Sequence, residues 1–118
     1  MSRPFVQPGP PLLPSPRERG IVILVDGRGV PLDRIAFLGE SERLVLPWRR
    51  IMKAVVGSRC RGIILLHTHP SQNALPSAAD IHVTRRLAHM LSPLNVRLCE
   101  HVIIAGCRHF SFRSAGLL

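Results

Sequence analysis

Residues 65–80 constrain the fold of this chain more than any other stretch of its sequence. They read LLHTHPSQNALPSAAD, an apolar run that closes on His67 and His69, a loop containing two prolines, and a helix start at Ser77. Because side chains two positions apart on a strand point to the same face, both histidines can face one ion. Pro70 then ends the strand, which predicts that both imidazole rings lie at the end of a sheet.

Asp80, in the first turn of the following helix, brings a carboxylate towards the same region. Two imidazole nitrogens, a carboxylate oxygen and a water form the ligand set of a catalytic zinc site. A structural interpretation competes for two of the residues, since Ser77 and Asp80 have the spacing of a helix capping box and an acid favours the helix dipole. The histidine pair has no comparable packing explanation, so the residues alone indicate a metal site and leave Ser77 and Asp80 open.

The remaining sequence predicts a mixed sheet with helices packed against it, an α/β (α+β) fold. The apolar run at residues 60–68 is continuous enough for a central strand that is covered on both faces. The other predicted elements are a hairpin of strands at about 19–26 and 31–38 around DGRG, a short strand at 44–46, a helix between Pro47 and Gly57, a helix at 77–91, strands at 95–99 and 101–105, and a final strand FSF.

The length of 118 residues indicates one domain. Six of the eleven prolines fall within the first 16 residues, so we expect residues 1–17 to be a flexible segment and residues 18–118 to be the domain. The chain is 46% hydrophobic but only 4% aromatic, so aliphatic side chains must fill its core.

Composition also narrows the classes of partner and location. The net charge of +9 favours anionic partners, including DNA, through a basic surface. No apolar run approaches the roughly 20 residues that span a bilayer, and no signal-peptide segment is recognisable, so we expect a cytoplasmic protein without membrane contact. The three cysteines show no CxxC spacing, which indicates neither a disulfide framework nor a thiolate zinc site.

The spacing of His67, His69, Ser77 and Asp80 is similar to the His-x-His-x(7)-Ser-x(2)-Asp signature of JAMM (JAB-domain) metalloproteins. The segments HTHPS, LPSAAD, TRRLAHMLSPLNVRLCEHVIIAG and FSF resemble the JAB domain of the bacterial RadC family over about residues 18–118. Amidohydrolase barrels carry a similar histidine pair but need about twice this length. Zinc deaminases need a glutamate beside the first ligand and a PCxxC motif, which this sequence lacks.

The resemblance implies a cytidine-deaminase-like JAB/MPN fold and a role for each matching residue. His67, His69 and Asp80 would bind Zn²⁺, and Ser77 would help to hold the oxyanion of a tetrahedral intermediate.

Such enzymes also need a glutamate from an upstream strand as general base. We predict Glu18, which stands eight residues before Asp26, where RadC-type sequences have a glutamate ahead of a similar strand. Glu40 and Glu42 are weaker candidates because they fall in a predicted loop. Glu100 and His101 form either a pair that supports the site or a surface turn.

The implied function is a bacterial zinc-dependent metallohydrolase of the metallopeptidase or isopeptidase type, acting on a peptide or protein substrate. The alternative is a non-catalytic, DNA-repair-associated module that binds nucleic acid or protein and keeps a structural or vestigial metal site. An edge strand of the sheet could also pair two copies of the chain in a homodimer.

Overall fold

A computed structural model of the chain describes residues 18–39 and 44–118. The predicted flexible segment 1–17 and the two weaker base candidates, Glu40 and Glu42, lie outside the described residues. Among the described residues, no helix is long and apolar enough to cross a membrane. The elements are β1 (Arg19–Val25), β2 (Pro31–Leu38), α1 (Trp48–Val56), β3 (Gly62–Thr68), α2 (Ala78–Leu91), a short 3-10 helix (Ser92–Leu94), β4 (Arg97–Ala105) and β5 (Arg108–Ser111).

The five strands form one mixed sheet in the order β2-β1-β3-β4-β5. Strands β3 and β4 are parallel, and the other neighbouring pairs are antiparallel. The predicted hairpin of β1 and β2 is confirmed, and its turn is held by the Asp26 carboxylate, which accepts hydrogen bonds from the backbone N–H groups of Arg28 and Val30. The α+β class and the central position of β3 are confirmed.

The helices cover the two faces of β3 unequally. Leu65 is fully buried in a core that also contains Ile51 of α1 and Leu87 of α2. Ile64 and Leu66, which point to the opposite face of the strand, are only half-buried. The prediction that β3 is covered on both faces is therefore confirmed for the face of Leu65 and only partly fulfilled for the face of Ile64 and Leu66.

Two further strand predictions are wrong. Residues 44–46 are not a strand, although Leu44 and Leu46 are buried and Val45 is exposed as alternation requires. Residues 95–99 and 101–105 are not two strands, because β4 runs without interruption through Glu100. The final strand also begins earlier than FSF, and Phe112 follows its end.

A bulge in β4 decides which of its side chains face the core. Leu98 pairs with Ile63 and Glu100 pairs with the next residue of β3, so Cys99 is the extra residue. Such an insertion reverses the alternation of side chains that follows it. As a result, both Leu98 and His101, three positions apart, are buried.

Candidate metal centre

Strand pairing brings Glu18 to the histidines. Gly20 of β1 lies opposite His67 of β3. Glu18 is two residues before Gly20 and therefore faces the same side of the sheet. The chain is held in place at this end because Thr68 Oγ1 accepts a hydrogen bond from the Arg19 N–H at 3.1 Å.

Glu18, His67, His69 and Asp80 form one group, in which the candidate ligand atoms all lie within 4.8 Å of one another. Asp80 contacts both rings, with 3.0 Å from its Oδ2 to His69 Nε2 and 3.6 Å from its Oδ1 to His67 Nε2. Glu18 Oε1 is 3.9 Å from His67 Nε2. Glu18, His67 and Asp80 are 3%, 0% and 1% exposed, and the side chain of His69 is 12% exposed. The group is therefore open to solvent mainly on the side of His69.

The predicted capping box is present at the start of α2. Ser77 Oγ accepts a hydrogen bond from the Asp80 N–H at 3.0 Å, and Asp80 Oδ2 accepts one from the Ser77 N–H at 2.8 Å. The same Asp80 carboxylate faces both histidines, so capping and contact with the histidines occur in one geometry. Ser77 is exposed, and its hydroxyl keeps its own proton to donate.

Burial and charge give the group an uneven electrostatic environment. Burial lowers the pKa of His67, whereas the hydrogen bond with Asp80 raises the pKa of His69 above its ordinary value. Burial alone would raise the pKa of Asp80, but the two histidine rings and the Ser77 N–H outweigh it and hold that pKa well below its usual range. Asp80 is consequently a carboxylate at neutral pH.

The hydrogen bonds of the two histidines test whether the group fits a cation. His69 Nδ1 donates to the backbone carbonyl of Asn73 at 2.9 Å, which leaves its Nε2 directed at Asp80. Within the described ranges, His67 Nε2 is buried without a hydrogen-bond partner, and the carboxylates of Asp80 and Glu18 are the groups that it faces. A buried polar atom left in this way costs about 1–3 kcal/mol. A zinc ion bound by both Nε2 atoms and Asp80 would remove that cost, so the ligand set fits Zn²⁺.

His101 lies directly behind His67, and sequence reasoning connected it with the site only as one of two alternatives, in a pair with Glu100. His101 Nε2 is 2.7 Å from His67 Nδ1, and His101 Nδ1 is 2.7 Å from Thr84 Oγ1. The Thr84 hydroxyl donates to the Asp80 carbonyl at 2.8 Å. Burial, with the neighbouring His67, lowers the pKa of His101 to about 2, so its ring is neutral.

The surface turn is wrong, because both residues lie in β4. Of the supporting pair, only the His101 ring contacts the site, at His67. The His101 ring is fully buried and stacks on Phe112, with ring centroids 4.0 Å apart. The Glu100 carboxylate instead accepts hydrogen bonds from the backbone N–H of His101, the hydroxyl of Ser111 and the backbone N–H of Arg113. The available signal was the alternation of His101, Ile103 and Ala105 on one face of a strand, which the predicted break at Glu100 obscured.

Comparison with known proteins gives a consistent family. A model of the RadC-like JAB domain matches residues 10–117. The UPF0758 protein FN0909 of Fusobacterium nucleatum subsp. nucleatum is 38% identical over 81 residues, which cover 69% of this chain and 35% of that protein. The UPF0758 protein HEAR2468 of Herminiimonas arsenicoxydans is 32% identical over an alignment of 120 residues, which covers 89% of this chain and 53% of that protein. UPF0758 protein YeeS of Escherichia coli is 34% identical over 82 residues, which cover 70% and 55%. The chain thus spans between about a third and just over half the length of these relatives.

Proposed function

The chain belongs to the RadC-like JAB domain family, and on that premise we propose that it is a zinc-dependent metallohydrolase that cleaves an amide bond of the peptide or isopeptide type. The observation that carries the proposal is the buried group of Glu18, His67, His69 and Asp80. In it, both histidine Nε2 atoms face carboxylates: His69 Nε2 is 3.0 Å from Asp80 Oδ2, and His67 Nε2 is buried without a hydrogen-bond partner among the described residues. Such an arrangement suits a cation better than it suits a packed core.

We assign His67, His69 and Asp80 as the residues that hold Zn²⁺. Asp80 is the carboxylate nearest to both rings, and its low pKa keeps it anionic. A bound zinc ion would supply a Lewis acid that lowers the pKa of a water molecule and polarises the carbonyl of the substrate.

We assign Glu18 as the general base. Its carboxylate lies next to the proposed ligands but on a different element, at the entry to β1, and contacts His67 at 3.9 Å. From there it can take a proton from the attacking water and pass it to the amine that leaves. Its burial keeps that proton from exchanging with bulk solvent between the two transfers.

We assign Ser77 as a donor to the developing oxyanion. Its hydroxyl oxygen accepts the Asp80 N–H and is thereby oriented, while its proton stays free to donate. The capping box thus holds a donor beside the carboxylate that faces the histidines. A substrate carbonyl would enter from the side of His69, where the group is most exposed.

Glu18→Gln tests the proposal with the shape of the side chain preserved. We expect the zinc-loaded wild-type chain to hydrolyse members of a mixed panel of fluorogenic peptide and lysine-isopeptide substrates. The variant should retain zinc but react about 10²- to 10⁴-fold more slowly, because it cannot accept a proton. Asp33→Asn is the control, since it neutralises an exposed carboxylate of β2 that is not part of the group. Equal rates for wild type and Glu18→Gln, both with zinc bound, would refute the assignment of the base.

A further inference from the structure

We propose that Thr84 and His101 are positioning residues of the metal centre: their hydrogen bonds fix His67 in the tautomer whose Nε2 can bind the ion. This inference rests on the proposed metal centre and adds two residues to it. It follows from where the protons must lie in a row of hydrogen bonds that runs from α2 to β3. The row joins the Asp80 carbonyl, the Thr84 hydroxyl, the His101 ring and the His67 ring.

The Thr84 hydroxyl decides which partner donates in each of these hydrogen bonds. Its oxygen is 2.8 Å from the Asp80 carbonyl oxygen and 2.7 Å from His101 Nδ1. A carbonyl oxygen can only accept, so the single hydroxyl proton lies towards Asp80. The second contact then needs a proton on His101 Nδ1.

The His101 ring is fully buried and stacked on Phe112, an environment that disfavours a charged imidazolium, so it passes a single proton assignment on to His67. With its proton on Nδ1, the ring presents a lone pair at Nε2, which is 2.7 Å from His67 Nδ1. His67 Nδ1 must therefore carry a proton and donate it to His101. The Nε2 of His67 is left with a lone pair, directed at the carboxylates of Asp80 and Glu18.

The opposite direction would leave a contact without a proton. If Thr84 donated to His101, its oxygen and the Asp80 carbonyl oxygen would meet at 2.8 Å with no hydrogen between them. Thr84, His101 and His67 are 2%, 0% and 0% exposed, so each unmade hydrogen bond is costly. Stacking on Phe112 fixes the plane of the His101 ring, and the bulge at Cys99 directs that ring into the site.

The row of hydrogen bonds also links two of the proposed ligands. It begins at the backbone of Asp80 in α2 and ends at the ring of His67 in β3. Partners that fix a metal-binding histidine through its other ring nitrogen typically contribute 10- to 100-fold to metal affinity. Loss of these hydrogen bonds should therefore weaken zinc binding without removing a ligand.

Four variants of the full chain test this with Zn²⁺ as the only probe. His101→Phe keeps the stacking on Phe112 but removes both ring nitrogens, and Thr84→Val removes the hydroxyl at nearly constant volume. In competition with a chromophoric chelator, we expect both to bind Zn²⁺ about 10- to 100-fold more weakly than the wild type. Thr84→Ser should match the wild type because it restores the hydroxyl, and so should the control His109→Phe, which changes an exposed histidine.

The tautomer itself is the second readout. In long-range ¹H–¹⁵N spectra of the metal-free chain, wild-type His67 should show a protonated Nδ1 and an unprotonated Nε2, and His101→Phe should show a mixture. A wild-type His67 protonated on Nε2, or unchanged zinc affinity in His101→Phe and Thr84→Val, would overturn the inference. If His101→Phe does not fold, the comparison of Thr84→Val with Thr84→Ser decides. A wild-type chain that binds no zinc would contradict the proposed function, whereas equal binding by wild type and Thr84→Val would contradict this inference alone.

Discussion

Asp80→Asn separates the two functions that the structure combines in one carboxylate. Asp80 caps α2 through the Ser77 N–H at 2.8 Å and faces His69 at 3.0 Å. Asparagine keeps an oxygen that can accept the Ser77 N–H, so the cap should survive. At a pH above the raised pKa of His69, where the ion pair of His69 with Asp80 no longer contributes, the fold should lose only the favourable interaction of a charge with the helix dipole, about 0.3–1 kcal/mol. The proposed metal centre loses its anionic ligand, and we expect zinc affinity to fall more than about 100-fold, or about 2.8 kcal/mol.

Ser77→Ala provides the reverse perturbation. It removes the oxygen that accepts the Asp80 N–H at 3.0 Å but leaves the carboxylate in place. Loss of a serine cap costs about 1 kcal/mol, which for a domain of this size lowers the melting temperature by roughly 3–6 °C. Zinc affinity should change far less than in Asp80→Asn, because Ser77 is not a proposed ligand.

Calorimetric titration with Zn²⁺ and thermal unfolding of the metal-free chain measure the two effects separately. The expected pattern is a large loss of affinity with a small loss of stability in Asp80→Asn, and the opposite balance in Ser77→Ala. If Asp80→Asn bound zinc as tightly as the wild type, Asp80 would be a helix cap only, and the assignment of the ligands would be wrong.

Two further predictions concern pH and DNA. The raised pKa of His69 means that its protonated form stabilises the metal-free fold; this stability is fully present below the ordinary pKa of 6.5 and is lost as pH rises through the raised value. Zinc must displace that proton, so the apparent affinity for zinc should fall as pH decreases through the same range. Zinc titrations and melting curves at several pH values measure both trends, and an affinity that rises as pH decreases would contradict the prediction. The net charge of +9 should give DNA binding that weakens steeply between about 50 and about 200 mM salt and that is unchanged in Glu18→Gln. An absent or salt-insensitive gel shift would remove the DNA-binding alternative.

Elements with strong local signals could be predicted from the sequence. The DGRG turn, the Pro47 and Gly57 ends of α1, and the Ser77 cap of α2 each depend on a few neighbouring residues. Residues 44–46 show the limit of this reasoning. They alternate as a strand does, yet a strand also requires a partner, and partners are not visible in local sequence.

The candidate site also combines residues that local sequence brings together with residues that only the tertiary fold brings together. His67, His69 and Asp80 lie within fourteen residues, and their convergence needs only a strand, a loop and one helical turn. Glu18 meets them only because β1 pairs with β3 in the observed register. His101 comes from 34 residues beyond His67 and faces it only because of the bulge in β4. Pairing register and bulges are tertiary properties, which is why these contacts could not be derived from spacing.

Zinc content is the most direct test of the central claim, that His67, His69 and Asp80 hold a metal ion. We expect the wild-type chain, loaded with Zn²⁺ and freed of excess metal, to retain about one zinc ion per molecule. The double variant His67→Ala/His69→Ala should retain none, whereas His82→Ala/His89→Ala, which changes two exposed histidines of α2, should retain the wild-type amount. A wild-type chain without zinc, or a His67→Ala/His69→Ala variant that keeps it, would contradict the claim.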